Sequence, residues 1–553
     1  MQIKLDASNA PSLQDGKKVN RRNFLKLGAA SIVALELSRS QAFSDLIADA
    51  QSPLLFDVFV YGSTPSGVAA AWEAARSGCR VLLACPQNHP GGMLASGLCA
   101  MDTGGHGNLF GGFMVEYLQR VNREYQRILG PGGRKGFGGT EPSIAEKVFE
   151  DILGEQSERL QFFRRHHLLD AQVKDSRITG VTLLSPKGDK IQVAARTFID
   201  ATYEADLAAC AKVPYRVGRE AREEYGESKA GIYYMNTHTG EEIITPYSGE
   251  SSPAIQAYCA RSIFTDDSAH LVPIEKPKTF EQHLPDYLPL LLDFEQRRIT
   301  SWDFGKAIPR HKYEMNGRID WQTSTNCPGI SWPWPEAQRF YREQLAQFHV
   351  DHVAGLIWFL QNYPGVPDHI SRPIRAIGLH DSEFTDNGHW PWQIYVRQGR
   401  RIEGRAIVTQ HNFTPDPKTN KTPQVEHPVA LGTYTFDVHP CQDRRFAVDG
   451  FMEGVLWYGG SLKHDKPTSP GQIPYAALLP KQLDNLLVPV GLSSTHMGMA
   501  VVRMEPVWMT TGHVAGFAAA MAHQKGMDVA NLDPTTFPGL LKIPIDPDKT
   551  PGA

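Results

Sequence analysis

The chain has 553 residues, room for more than one domain, and its 41% hydrophobic and 21% charged composition is that of an ordinary globular protein. A formal net charge of -4 gives no support to nucleic-acid binding or to a broadly basic membrane-binding face. Seven scattered cysteines without a CxxC pair argue against a disulfide framework, an iron–sulfur cluster or a redox dithiol.

Residues 1–42 read as a targeting segment. Lys17, Lys18, Arg21 and Arg22 form a basic region, and Arg21-Arg22-Asn23-Phe24-Leu25-Lys26 matches a twin-arginine export pattern. The apolar run Leu27–Leu37 is too short to span a membrane, and Ser40-Gln41-Ala42 offers a cleavage site. Twin-arginine export carries folded proteins, so the expectation is a periplasmic or exported protein that engages the export machinery and acquires any cofactor first.

The stretch from Leu54 to Gly97 organises the rest of the chain. Phe56–Tyr61 is an apolar, β-prone run. Gly62, Thr64 and Gly67 then give G-x-T-x-x-G, a small-residue helix is predicted from about Ser66 to Ser77, and Cys79–Cys85 reads as a second strand. Strand, tight turn, helix and strand make the opening of a dinucleotide-binding unit. Gly62 permits the turn, Gly67 lets the helix approach the sheet, and the N–H groups of the first helical turn face a diphosphate. A second glycine pair, Gly91-Gly92, precedes Met93 and suits a longer cofactor than a nicotinamide dinucleotide.

Beyond this unit, helices are predicted over 113–130 and 142–155, and strands over 160–200 with a hairpin turn at Lys187-Gly188-Asp189. Residues 211–470 are less regular. They include Trp332-Pro333-Trp334-Pro335, with Pro335 as the first-turn residue of a helix over about 336–361, a strand over Ile374–His380, and an alternating edge strand over Thr433–His439. The strand Leu486–Gly491 and a helix from about Pro506 to Gln524 close the pattern.

These pieces, together with Phe384-Thr385-Asp386-Asn387-Gly388, Tyr395-Val396-Arg397 and the block Leu486–Pro506, resemble FAD-dependent oxidoreductases of the glutathione-reductase-like superfamily, in the branch called xanthan-lyase-like. The resemblance implies an α/β protein: a Rossmann-like FAD-binding domain split between 55–210 and 471–530, a large mixed α+β substrate insertion over 211–470, and a tail over 531–553. It places Gly62, Thr64, Gly67, Gly91, Gly92 and Met93 at the cofactor, and aims the N-terminus of the last helix, with Arg503, Glu505 and Pro506, at the flavin. Two positions depart from the pattern. Cys85 stands where a ribose-binding Glu is usual, and Thr64 stands where the second glycine would be.

The chemistry implied is hydride transfer to flavin from a C–H that bears a hydroxyl or amine, on a small polar substrate such as a sugar, polyol or glycoside, with a side-chain base taking the O–H or N–H proton. His496, His439 and His389 are the candidate bases because imidazole titrates in the useful range, and Arg397 is the candidate for holding a substrate oxygen. Redox-assisted polysaccharide or glycoside cleavage, and a scaffold that has lost flavin, are the competing readings. No ligand pattern such as HExxH predicts a metal, and the electron acceptor is not identified by any motif.

Overall fold

The computed structural model describes residues 52–131, 139–236, 242–302, 305–316, 323–442, 451–454, 456–457 and 469–537. The twin-arginine segment and most of the expected tail lie outside the described residues.

Strand β1 (Leu54–Tyr61) runs into helix α1 (Pro65–Arg76) and returns through β2 (Val81–Ala84). Helices α2 (Gly112–Leu129) and α3 (Pro142–Gly154) follow, then β3 (Leu160–Phe163), β4 (His167–Lys174), β5 (Arg177–Leu184) and β6 (Lys190–Asp200). The principal sheet has the order β3-β2-β1-β6-β5-β4. Its β3, β2, β1 and β6 are parallel neighbours, and β5 and β4 extend it as an antiparallel hairpin. The eleven-residue β6 serves two partners on one side: its first half pairs with β5 and its end with β7 (Leu486–Leu487). Residues almost 300 positions apart thus meet in a Rossmann-like sheet.

The reason lies in the side chains. Val58, Phe59, Val60, Val81, Leu82 and Leu83 are fully buried, as a parallel sheet covered on both faces requires. Helix α6 (Glu505–Lys525) lies against α1 through small residues. A Cβ at Gly512 would sit 2.1 Å from the Ser66 carbonyl oxygen, and one at Gly516 would sit 2.3 Å from that of Ala70. Only glycine permits this spacing.

The intervening chain builds a second core on α4 (Arg339–Asn362), with Phe264, Tyr287, Leu290, Leu356 and Phe359 buried together. A five-stranded antiparallel sheet flanks it. Four expectations are corrected here. Pro335 belongs to a separate 3₁₀ turn, Trp334–Glu336, not to the helix. Ile374 ends a helix, Asp368–Arg375, whose Ile370 and Ile374 bury one face, and the strand begins only at Gly378. Within Thr433–His439 only Asp437–Val438 pairs as strand among the described residues, and the preceding Pro428–Gly432 pairs separately with 471–474. The closing strand is likewise shorter than expected, ending at Leu487. Among the described residues no helix is long and apolar enough to cross a membrane.

Candidate functional site

The β1–α1 turn is held by its own side chains. Gly62 sits at φ 103°, where an added Cβ would meet the Ala201 carbonyl carbon at 2.7 Å. A Cβ on Gly67 would lie 1.8 Å from the Gly62 carbonyl oxygen. Thr64 caps α1: its Oγ1 accepts from Gly67 N–H at 3.2 Å and donates to the Ala201 carbonyl at 2.7 Å. The hydroxyl proton is therefore spent inside the fold, and Thr64 stabilises the turn rather than offering a donor outward. The second glycine pair is tied to the first turn by the Gly91 N–H, which donates to Ser63 O at 2.7 Å. Gly91 and Gly92 both have positive φ.

A cavity of about 460 Å³ opens at the C-terminal ends of β1 and β2. Gly62, Ser63, Thr64 and Gly92 form one wall, Cys85 and Gln87 another, and Trp334, Arg342 and Arg400 close the far side. This is where open parallel sheets bind ligands. Cys85 lies at the position of the expected carboxylate and its thiol donates to Gln87 O at 3.2 Å, so ribose recognition through a Glu is absent here. The glycine cradle, the glycine pair and the placement of the cavity fit a dinucleotide cofactor.

Tyr203 links this cavity to the closing helix. Its hydroxyl accepts from Met93 N–H at 3.0 Å and donates to Glu505 Oε1 at 2.7 Å. Glu505 opens α6 with Pro506 beside it, and both are buried. Burial pushes the Glu505 carboxyl up to about 8, with Tyr203 acting in the opposite direction, so the group is largely protonated at neutral pH. A narrow void shares Tyr203 and Arg400 with the main cavity and is lined further by Arg397, Gly399, Val490, Met499 and Trp508.

A second constellation gathers three buried guanidinium groups around Tyr395. Arg261 lies 3.9 Å and Arg397 4.7 Å from the ring centroid, and Arg503 donates to the Tyr395 hydroxyl at 3.3 Å. Arg261 pairs with Glu314 at 2.6 Å and Arg503 with Asp437 at 2.7 Å. Arg503 is thus buried on Asp437, not paired with Glu505 and not on the surface. Arg397 is fully buried and has no carboxylate partner among the described residues. It donates to the Ala257 carbonyl and reaches Cys259 Sγ at 3.8 Å, and burial lowers its affinity for the proton.

Two of the three candidate histidines join this region. His439 Nδ1 accepts from Asn326 Nδ2 at 3.2 Å, and its Nε2 faces Asp437 Oδ1 at 3.5 Å. Burial and Arg397 push it down to about 3, so it is neutral, with both nitrogens engaged. His496 caps its own environment differently. It begins α5 (His496–Val502), its backbone N–H donates to Glu220 at 2.7 Å, and Nδ1 is 2.9 Å from Gln398 Oε1. With Nδ1–H donating to that amide oxygen, the lone pair lies on Nε2, which has no hydrogen bond among the described residues. Burial, then Arg219, Arg401 and Arg503, hold His496 well below the usual imidazole range. His389 stands apart: it sits at φ 66° in a turn, with Nδ1 3.0 Å from the Glu383 carbonyl and its own carbonyl accepting from Ser262. Sequence reasoning missed Tyr203, Arg261 and Tyr395. None of them carries a local sequence signal, because their partners lie far off in the chain.

The sequence model of the family described as FAD dependent oxidoreductase matches residues 57–541. No curated protein sequence matches the chain. Similar solved structures include a flavoprotein/dehydrogenase from Cytophaga hutchinsonii, 15% identical over 41% of this chain and 48% of that one, with a TM-score of 0.24. Others are the myxobacterial chondrochloren halogenase CndH, 18% identical over 36% of this chain and 47% of that one, at 0.22, and THI4 from Thermovibrio ammonificans, 16% identical over 42% and 85%, at 0.22. The chain spans about half the length of the halogenase and of the dehydrogenase.

Proposed function

Because the chain belongs to the FAD dependent oxidoreductase family, we propose that it is the oxidation of a small, hydroxyl-bearing polar molecule, such as a sugar or polyol, that this flavoenzyme performs. Bound FAD supplies the hydride acceptor. Gly62, Gly67, Gly91, Gly92 and Met93 would hold it at the sheet edge, and the buried start of α6 at Glu505 and Pro506 would face its ring end.

The observation that carries the substrate class is Arg397 beside Tyr395. This fully buried guanidinium has no carboxylate partner among the described residues, its Nε–H has no acceptor, and its other donors reach only the Ala257 carbonyl and Cys259 Sγ, so further acceptors on a ligand would stabilise it. The Tyr395 hydroxyl accepts from Arg503, and its own proton has no acceptor among the described residues. An oxygen-rich substrate answers both groups. His496 is then the candidate base: its Nε2 has no hydrogen bond among the described residues, and the substrate would have to offset the burial and the guanidiniums that disfavour its imidazolium. His439, wedged between Asn326 and Asp437, is a positioning residue for Asp437 and Arg503.

Arg21-Arg22 and the apolar run after it support export to the periplasm through the twin-arginine machinery. The electron acceptor is then a periplasmic partner. The test is anaerobic mixing of the flavin-loaded protein with a panel of sugars, polyols and their amine or apolar counterparts. Bleaching of oxidised flavin by hydroxylated compounds supports the reading, and bleaching by none of them, or only by apolar ones, overturns it.

A further inference from the structure

His283 is buried to 0% exposure, and neither of its ring nitrogens has a hydrogen-bond partner among the described residues. Such an imidazole is costly in a protein interior, where buried polar atoms are almost always satisfied. Its surroundings supply no simple answer. The ring packs on Phe348, with centroids 4.3 Å apart, and stands edge-on to His352 at 5.6 Å.

The neighbouring side chains do resemble a coordination sphere. His283 and Asp286 are three residues apart on the helix Phe280–Tyr287, so they project from one face. His352 comes from the facing helix α4. One ligand atom from each of the three lies within 4.8 Å of the others. A tetrahedral ion with bonds of roughly 2.0–2.1 Å needs its ligand atoms ~3.3 Å apart, which small side-chain rotations provide. His352 is already oriented as a ligand would be. Its Nε2–H donates to the Ser324 carbonyl at 2.9 Å, which fixes the neutral tautomer with the lone pair on Nδ1. Asp286 is half-buried.

We propose that His283, Asp286 and His352 bind a divalent transition-metal ion of the zinc or cobalt type, which clasps the helix Phe280–Tyr287 to α4. Two imidazoles and a carboxylate suit such an ion, and water completes the fourth position. A second group, His270, His380 and Asp381, is also close enough to share an ion. Its members satisfy one another without one: His270 Nδ1 is 3.2 Å from both Asp381 oxygens, and His380 Nδ1 accepts from the Ser382 N–H at 3.2 Å.

The test uses full-length flavin-loaded protein stripped with a chelator, then titrated with Co²⁺ alone. The expected result is one equivalent bound with tetrahedral ligand-field absorption to the red of the flavin. His283→Gln and His352→Gln should each weaken binding at least tenfold while keeping their flavin, and His270→Gln should not change it. No stoichiometric Co²⁺ in the wild-type protein, or loss in His270→Gln but not in His283→Gln, overturns the proposal. If His283→Gln fails to fold, X-ray absorption of the Co²⁺ form of the double variant His270→Gln, His380→Gln decides. Two imidazole nitrogens on cobalt support the site, and none contradicts it.

Discussion

Tyr203 and Glu505, 302 residues apart, share a buried hydrogen bond of 2.7 Å. It joins the end of β6 to the first turn of α6, and through the Met93 N–H it reaches the second glycine loop. Burial lifts Glu505 from 4.5 to about 8. A folded value above the ordinary one means that the native state keeps a proton that the unfolded chain has released. Stability therefore falls as pH rises from about 4.5 to about 8 and levels off above. The size is roughly 5 kcal/mol across that window. Glu505→Gln keeps an acceptor for Tyr203 and removes the titration. Its melting temperature should exceed that of the wild type increasingly up to pH 8, and parallel curves for the two proteins would contradict this.

Gly62→Ala and Gly67→Ala should both cost the cofactor. Each places a Cβ within 2.7 Å or less of backbone atoms that cannot yield cheaply. Gly62 adds the strain of a positive φ, of order 1–3 kcal/mol. The expected outcome is folded protein with little or no flavin, read from absorption and circular dichroism. Full flavin content in either variant would contradict the cradle.

Asp437→Asn should be severe although Asp437 makes no contact with the dinucleotide cavity. Burial alone would raise its carboxyl, but Arg503 and then His439 outweigh that and hold it well below the usual carboxylate range. Removing the charge leaves Arg503 buried and unpaired, at a cost of about 3–5 kcal/mol. The check is the denaturant midpoint, with the urea slope unchanged. In the wild type the same pair is at full strength above about pH 4, the ordinary carboxylate range, and weakens only as pH falls through the depressed value.

His496→Gln should retain flavin and fold yet reduce the rate of flavin bleaching by substrate about 10²–10⁴-fold. Because the wild-type ring is held well below 6.5, the bleaching rate should show no imidazole inflection between pH 6 and 8. Rapid mixing under anaerobic conditions measures both. A wild-type rate in His496→Gln would remove it from the chemistry.

The opening unit was legible because local signals agree there: an apolar strand, a glycine turn and an Ala-rich helix each say the same thing between Leu54 and Ala84. The closing block was legible for the same reason. The centre was not, because its contacts are long-range. Tyr395 lies 108 positions from Arg503, and Asn326 lies 113 from His439, and no periodicity encodes such meetings. Ile374 was misread because an apolar run beside Pro373 suits a strand, whereas Ile370 and Ile374 bury a single helical turn. The pairing of Arg503 was not legible because an Arg-Met-Glu-Pro string does not reveal that Asp437 will be folded against it. The grouping around His283 was not legible because, beyond Asp286 on its own helix, its companion His352 stands on another.

The most direct measurement is the absorption spectrum of the purified protein, recorded before and after anaerobic addition of hydroxylated substrates, with wild type and Arg397→Met side by side. The account predicts an oxidised-flavin spectrum in both, bleached by a sugar or polyol in the wild type and much less readily in Arg397→Met. A protein that stays colourless after incubation with FAD, or a flavin that bleaches equally in both, would contradict it.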